Sequence, residues 1–79
     1  MNAKKLLEDI VRSLVDNPDA VSVVEQEKSD GSLTLELSVG EGDMGKVIGK
    51  GGRVARSIRG VMKSASSVAG RKIFLEIKE

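Results

Sequence analysis

Six lysines and arginines, Lys46, Lys50, Arg53, Arg56, Arg59 and Lys63, fall between Met44 and Ser64 with no acid among them. Gly49, Gly51 and Gly52 stand inside this basic run, with Lys50 between the first two and the apolar pair Val47-Ile48 just before them. Glycine lets a backbone take positive φ or lie close to a ligand. A helix that starts at such a turn points its first N–H groups outward, where an anion can use them. Lys50 adds a flexible point charge at the turn, Lys46 and Arg53 flank it, and Arg56 lies one turn further on. The chemistry this pattern suits is a clamp on a phosphate backbone, and so a nucleic acid.

Other chemistries lack their residues. The chain has no cysteine and no histidine, which removes disulfides, the usual zinc ligands and most nucleophile–base pairs. Asp16, Asp19, Glu41 and Asp43 lie near turns, but nothing pairs them as acid and base, so capping and solubility are their expected roles and no catalysis is expected. The stretch from Gly45 to Gly52 has no Gly-Lys-Ser/Thr ending, so it fails as a nucleotide-binding P-loop. The dinucleotide fingerprint fails too, because Val54 stands where its last glycine would be. No metal and no cofactor are expected. No apolar run approaches a membrane span, and acids Glu8 and Asp9 interrupt the start, so a cytoplasmic protein without membrane contact is expected.

Seventy-nine residues suit one domain over 1–79. The formal net charge is only +1, yet residues 1–44 carry −6 and residues 45–63 carry +6. A near-neutral total therefore conceals a polarised molecule.

The elements that must hold the basic run follow from periodicity. Leu6, Leu7, Ile10, Val11, Leu14 and Val15 form one apolar stripe of a helix over 3–16, ended by Asn17-Pro18. Residues 20–28 read as a strand, Lys28 to Gly31 as a hairpin turn, and 32–39 as a second strand with Leu33, Leu35, Leu37 and Val39 on one face. Asp43 is placed to N-cap a short helix over Met44 to Ile48. After the glycine break a long helix runs over 53–69, packing Val54, Ile58, Val61, Met62, Ala65 and Ala69 and exposing Arg56, Arg59 and Lys63. Gly60 would weaken it by about 1 kcal/mol relative to alanine. Gly70 stops it, and 73–78 forms a third strand with Ile73, Leu75 and Ile77 inward and Phe74, the sole aromatic residue, on the other side. The expected fold is a two-layer α+β domain of order α-β-β-α-α-β, with a three-stranded mixed sheet covered on one face by helices.

This order, with Val47-Ile48-Gly49-Lys50-Gly51-Gly52-Arg53 between two helices, resembles a KH domain of type II. The family's Gly-x-x-Gly loop is matched by Gly49, Lys50, Gly51 and Gly52, its preceding isoleucine by Ile48, and the apolar residue of its next helix by Ile58. The run from Asp43 to Arg59 is similar to the small stand-alone bacterial KH proteins. That resemblance implies single-stranded RNA binding, post-transcriptional regulation, self-association as a homodimer, and pairing with a Jag-like KH protein, KhpB, in some bacteria linked to cell elongation and division. The family often has a bulkier residue at Gly51 and threonine at Val54.

In a KH clamp, Gly49 and Gly52 would clear a path for about four nucleotides of single-stranded RNA or DNA. Bases would turn toward a groove between the short helix and the second strand, with Val47 or Ile48 as its floor and Val39 at its edge. The alternative is a protein-interaction module, a homodimer or a heterodimer with a second KH protein, using the small-residue end of the long helix. A plain interhelix turn with solvated lysines is the bland reading of the same residues.

Overall fold

The computed structural model describes residues 2–78. Its helices and strands are α1 (Ala3–Arg12), β1 (Ser22–Glu27), β2 (Leu33–Ser38), α2 (Met44–Ile48), α3 (Arg53–Ala69) and β3 (Ile73–Ile77), with single 3-10 turns at Pro18–Ala20 and Lys50–Gly52. The order α-β-β-α-α-β is the expected one.

The sheet runs β1-β2-β3, antiparallel between β1 and β2 and parallel between β2 and β3. A two-residue hairpin cannot join parallel strands, so α2 and α3 form the crossover. Register places Leu33, Leu35 and Leu37 opposite Ile73, Leu75 and Ile77, which puts all six on the helical face. Leu7 and Val11 of α1, Val47 of α2, and Ile58, Met62 and Ala65 of α3 close the core over them.

The other sheet face is open, and Phe74 is 52% exposed there. Val23 faces inward and Val24 outward, which resolves the imperfect alternation of β1.

α1 ends four residues earlier than the apolar stripe predicts. The Ser13 hydroxyl donates to Ile10 O at 2.6 Å and Leu14 N–H to Val11 O at 2.9 Å, so the chain leaves the helix in a tight turn. Val15 still packs on the core from outside the helix. Pro18 opens a 3-10 turn, where its fixed φ suits the first position. In α3, Val61 is 39% exposed and Ala69 exposed, so the packed stripe is narrower than expected. Its core contacts are Ile58, Met62 and Ala65, with Val54 half-buried beside them.

Candidate nucleic-acid interface

α2 has only five residues and ends at Gly49, whose φ of 74° and ψ of 170° turn the chain sharply. Gly51 and Gly52 follow in the left-handed region at φ 64° and 77°. The three glycines serve two different ends. A Cβ on Gly49 would stand 2.4 Å from Val54 Cγ2, so this glycine is needed for packing within the chain. A Cβ on Gly51 or Gly52 would meet nothing within 4 Å, and only the dihedral angle asks for glycine there. The missing side chain of Gly49 makes room for Val54. The helix-terminal donors are narrowed as well. Gly52 N–H donates to Gly49 O at 3.1 Å, and Arg53 N–H donates to Lys50 O.

The basic residues gather along α2, the loop and α3 in unequal states. Lys50 and Arg53 are exposed at the loop and the start of α3. Arg56 Nη2 reaches back to Gly51 O at 3.2 Å and braces the loop. Of the six cations, Lys46 alone forms an ion pair among the described residues, with Asp16 at 3.1 Å. The hydrogen bond to Asp16 and its charge raise the Lys46 pKa, with a smaller push from Asp43. Arg59 crosses from α3 to the strand, where Nη1 donates to Leu75 O at 2.7 Å. The sequence reading placed Arg59 on a solvated face and gave no sign of this contact.

Asp43 occupies the N-cap position of α2 but makes no side-chain cap bond to it. Its carboxylate, 3% exposed, accepts from Asp16 N–H at 3.1 Å and Asn17 N–H at 3.0 Å. The expected cap is thus a tether between distant segments. It fixes the start of α2, and through α2 the loop, to the turn after α1. The ion pair from Lys46 to Asp16 joins the same two segments.

Val47 is fully buried in the core and presents nothing to a ligand. Ile48 is half-buried beside the loop. Val39 is half-buried and packs against the core. An open cavity of about 270 Å³ lies between α3 and β3 and is lined by Arg59, Lys63, Lys72, Ile73, Phe74 and Leu75 among others. β2 is the central strand, and β3 supplies the edge beside α3.

The family model described as KhpA/KhpB, KH domain matches residues 4–77. The chain belongs to the KhpA/KhpB KH-domain family. Among curated relatives, the RNA-binding protein KhpA of Clostridium acetobutylicum is 50% identical over 94% of this chain and 97% of its own. The RNA-binding protein KhpA of Listeria monocytogenes is 47% identical over 96% of this chain and 99% of its own. The fold of the KhpA/KhpB domain is type II KH. A solved structure of Era, in complex with MgGDPNP and nucleotides 1506–1542 of 16S ribosomal RNA, aligns with a TM-score of 0.62 at 19% identity. That alignment covers 95% of this chain and 28% of Era, and at such identity it speaks to fold alone.

Proposed function

We propose that this chain is a non-catalytic single-stranded RNA-binding protein that clamps the nucleic-acid backbone with its Gly49–Gly52 loop. The observation that carries this reading is the exposed Lys50 and Arg53 at a glycine turn whose position is fixed by buried Asp43. A cation with no carboxylate partner is free to exchange solvent counterions for phosphates. The relatives named as RNA-binding proteins KhpA support the RNA partner.

Lys50 and Arg53 meet successive phosphates, and Lys46 joins when it leaves Asp16. Gly51 and Gly52 keep the turn low, Ile48 supports it from beneath, and Arg56 holds its shape. Val47 acts only by anchoring α2 in the core. Bases enter the cavity between α3 and β3. With one aromatic residue in the chain, stacking contributes little, so a single domain binds weakly and loses affinity with salt. Single-stranded DNA offers the same phosphates. The biological setting is post-transcriptional regulation in the cytoplasm by a single KH domain.

A second reading rests on a separate observation. Leu14 and Val61, 37% and 39% exposed, line an apolar depression of about 310 Å³ between α1 and α3 with Ile10, Val54 and Ile58. A second copy of this chain, or a Jag-like KH protein such as KhpB, would cover it. Both readings can hold in one protein.

The test compares short single-stranded RNA pools at low and moderate salt for the native chain and Lys50→Glu/Arg53→Glu. Both side chains are exposed, and a glutamate in the first turn of α3 complements the helix dipole, so the variant keeps its fold, checked by circular dichroism. The variant should bind at least about tenfold more weakly, and its log–log salt slope should be shallower by about 1.4, the value for two phosphates on a single strand. Equal binding by the two proteins would remove the clamp and leave the partner reading.

A further inference from the structure

The edge of β3 has a polarity that bears on which bases it can read. Leu33 N–H donates to Lys72 O at 2.9 Å, and Lys78 N–H donates to Leu37 O at 2.7 Å. In a parallel ladder alternate residues carry the pairing, so Lys72, Phe74, Glu76 and Lys78 turn their backbone groups toward β2. Ile73, Leu75 and Ile77 turn theirs outward, since β3 is an edge strand. A free residue at such an edge offers one N–H and one C=O. That pair suits a base edge that accepts at a ring nitrogen and donates from an amine, as adenine and cytosine do.

Leu75 offers that pair only in part. Its carbonyl already accepts from Arg59 Nη1 at 2.7 Å. A guanidinium has five N–H donors and no acceptor. Arg59 therefore occupies one of the two lone pairs of that carbonyl and puts further donors beside it. Lys63 and Lys72 line the same cavity and also only donate. The Ser66 hydroxyl, on its far wall, donates to Arg71 O. The bond to Leu75 also fixes the guanidinium, so its remaining N–H groups are held in place beside the cavity.

We infer that Arg59 is a specificity-determining residue that makes the α3–β3 cavity prefer bases with keto oxygens, uracil and guanine, over the amino bases cytosine and adenine. Uracil presents an oxygen where cytosine presents an amine, and guanine presents O6 and N7 together. An amine turned to the Leu75 side of this wall meets the Arg59 guanidinium and a carbonyl that already holds one bond, whereas a keto oxygen there meets fixed donors; the outward backbone pair of Ile73, further along the same cavity, is not altered by Arg59. The inference rests on the RNA-binding reading above, and it concerns the choice of base rather than the hold on the backbone.

Uridine and cytidine hexamers isolate the difference, because the two bases differ at one keto–amino position and neither forms guanine quadruplexes. Binding is measured by fluorescence anisotropy at about 50 mM salt, where phosphate contacts are strong enough to read a weak complex. The native chain should bind the uridine hexamer about fivefold tighter or more, the low end of a base-reading contact. Arg59→Gln, which removes the fork, and Arg59→Lys, which keeps the charge, should both bring the ratio below about twofold. The Lys50→Glu/Arg53→Glu protein should lose both oligomers while keeping their ratio in whatever binding remains.

A native chain that binds both hexamers equally, or cytidine better, overturns the inference and leaves RNA binding intact. Folded Arg59 variants that keep the full uridine preference overturn it too. Failure of the native chain to bind either hexamer, or any single-stranded RNA pool, would end the RNA reading together with this one.

Discussion

Two glycine turns in this molecule start from similar residues and end in opposite states. The hairpin turn between β1 and β2 has Gly31 at φ 87°, and the loop between α2 and α3 has Gly51 at φ 64°. Each has a lysine beside it. The hairpin turn is closed by its own groups: Lys28 N–H to Ser32 O, Gly31 N–H to Lys28 O, and the Asp30 carboxylate accepting from Ser32 N–H and hydroxyl at 2.9 and 2.7 Å. Arg71 then reaches across from the end of α3 to Gly31 O, Ser32 O and Glu27. The α2–α3 loop has one internal bond between its glycines and one arginine behind it, and its lysine faces outward. A turn whose polar groups are satisfied within the chain is architecture. The α2–α3 turn leaves more of its polar groups unpaired and carries Lys50 exposed over a fixed base, the feature on which the proposed clamp rests.

The sharpest way to break the contrast is to release the base of the open loop. Asp43→Ala leaves Asp16 N–H and Asn17 N–H without their acceptor, and should cost about 2–4 kcal/mol in urea unfolding. RNA affinity should fall as well, even at temperatures where the variant is fully folded, because α2 loses its tether. Unchanged affinity in the folded variant would mean that the loop holds its place without Asp43.

Next in size is a matched pair of glycine substitutions. Gly49→Ala meets both a positive φ and Val54, and should cost about 3 kcal/mol. Gly31→Ala meets the dihedral penalty alone and should cost about 1 kcal/mol. Adding Val54→Ala to Gly49→Ala should recover part of the first loss and none of the second. Equal costs at the two sites would show that Val54 moves aside.

Arg71→Ala should lower stability by about 1 kcal/mol, since its bonds are exposed or partly so, and should leave RNA binding unchanged. A loss of binding there would erase the division between the two turns.

The smallest effect is in pH. The Ser32 hydroxyl, followed by its N–H, holds the Asp30 carboxyl below its usual range. A pKa lowered in the folded state gives stability that is present above the unfolded value and lost as pH falls through the folded one. The difference in melting temperature between the native chain and Asp30→Asn should therefore shrink below about pH 4. A difference that grows on acidification would reverse the sign and exclude this carboxylate as the cause.

Much of this was legible from the chain itself, for physical reasons. The α3 boundaries followed from Gly52 and Gly70, because glycine in the left-handed region both starts and stops this helix. β2 followed from strict alternation of Leu33, Leu35 and Leu37, which only a half-buried strand satisfies. The end of α1 did not follow, because an apolar stripe continues through Val15 whether or not the backbone stays helical. The role of Gly49 was also hidden. Sequence shows that a side chain is missing, while only packing shows that Val54 fills the space.

The sequence by itself determined the element order, the polarised charge and a basic glycine turn between two helices, since each depends on residues close together in the chain. Tertiary structure decided what those residues touch. Asp43 finds Asp16 and Asn17 across 27 and 26 residues, and Arg59 finds Leu75 across 16. Such contacts depend on how α2 and α3 lie over the sheet, a geometry set by the whole core at once. Local spacing carries no record of it.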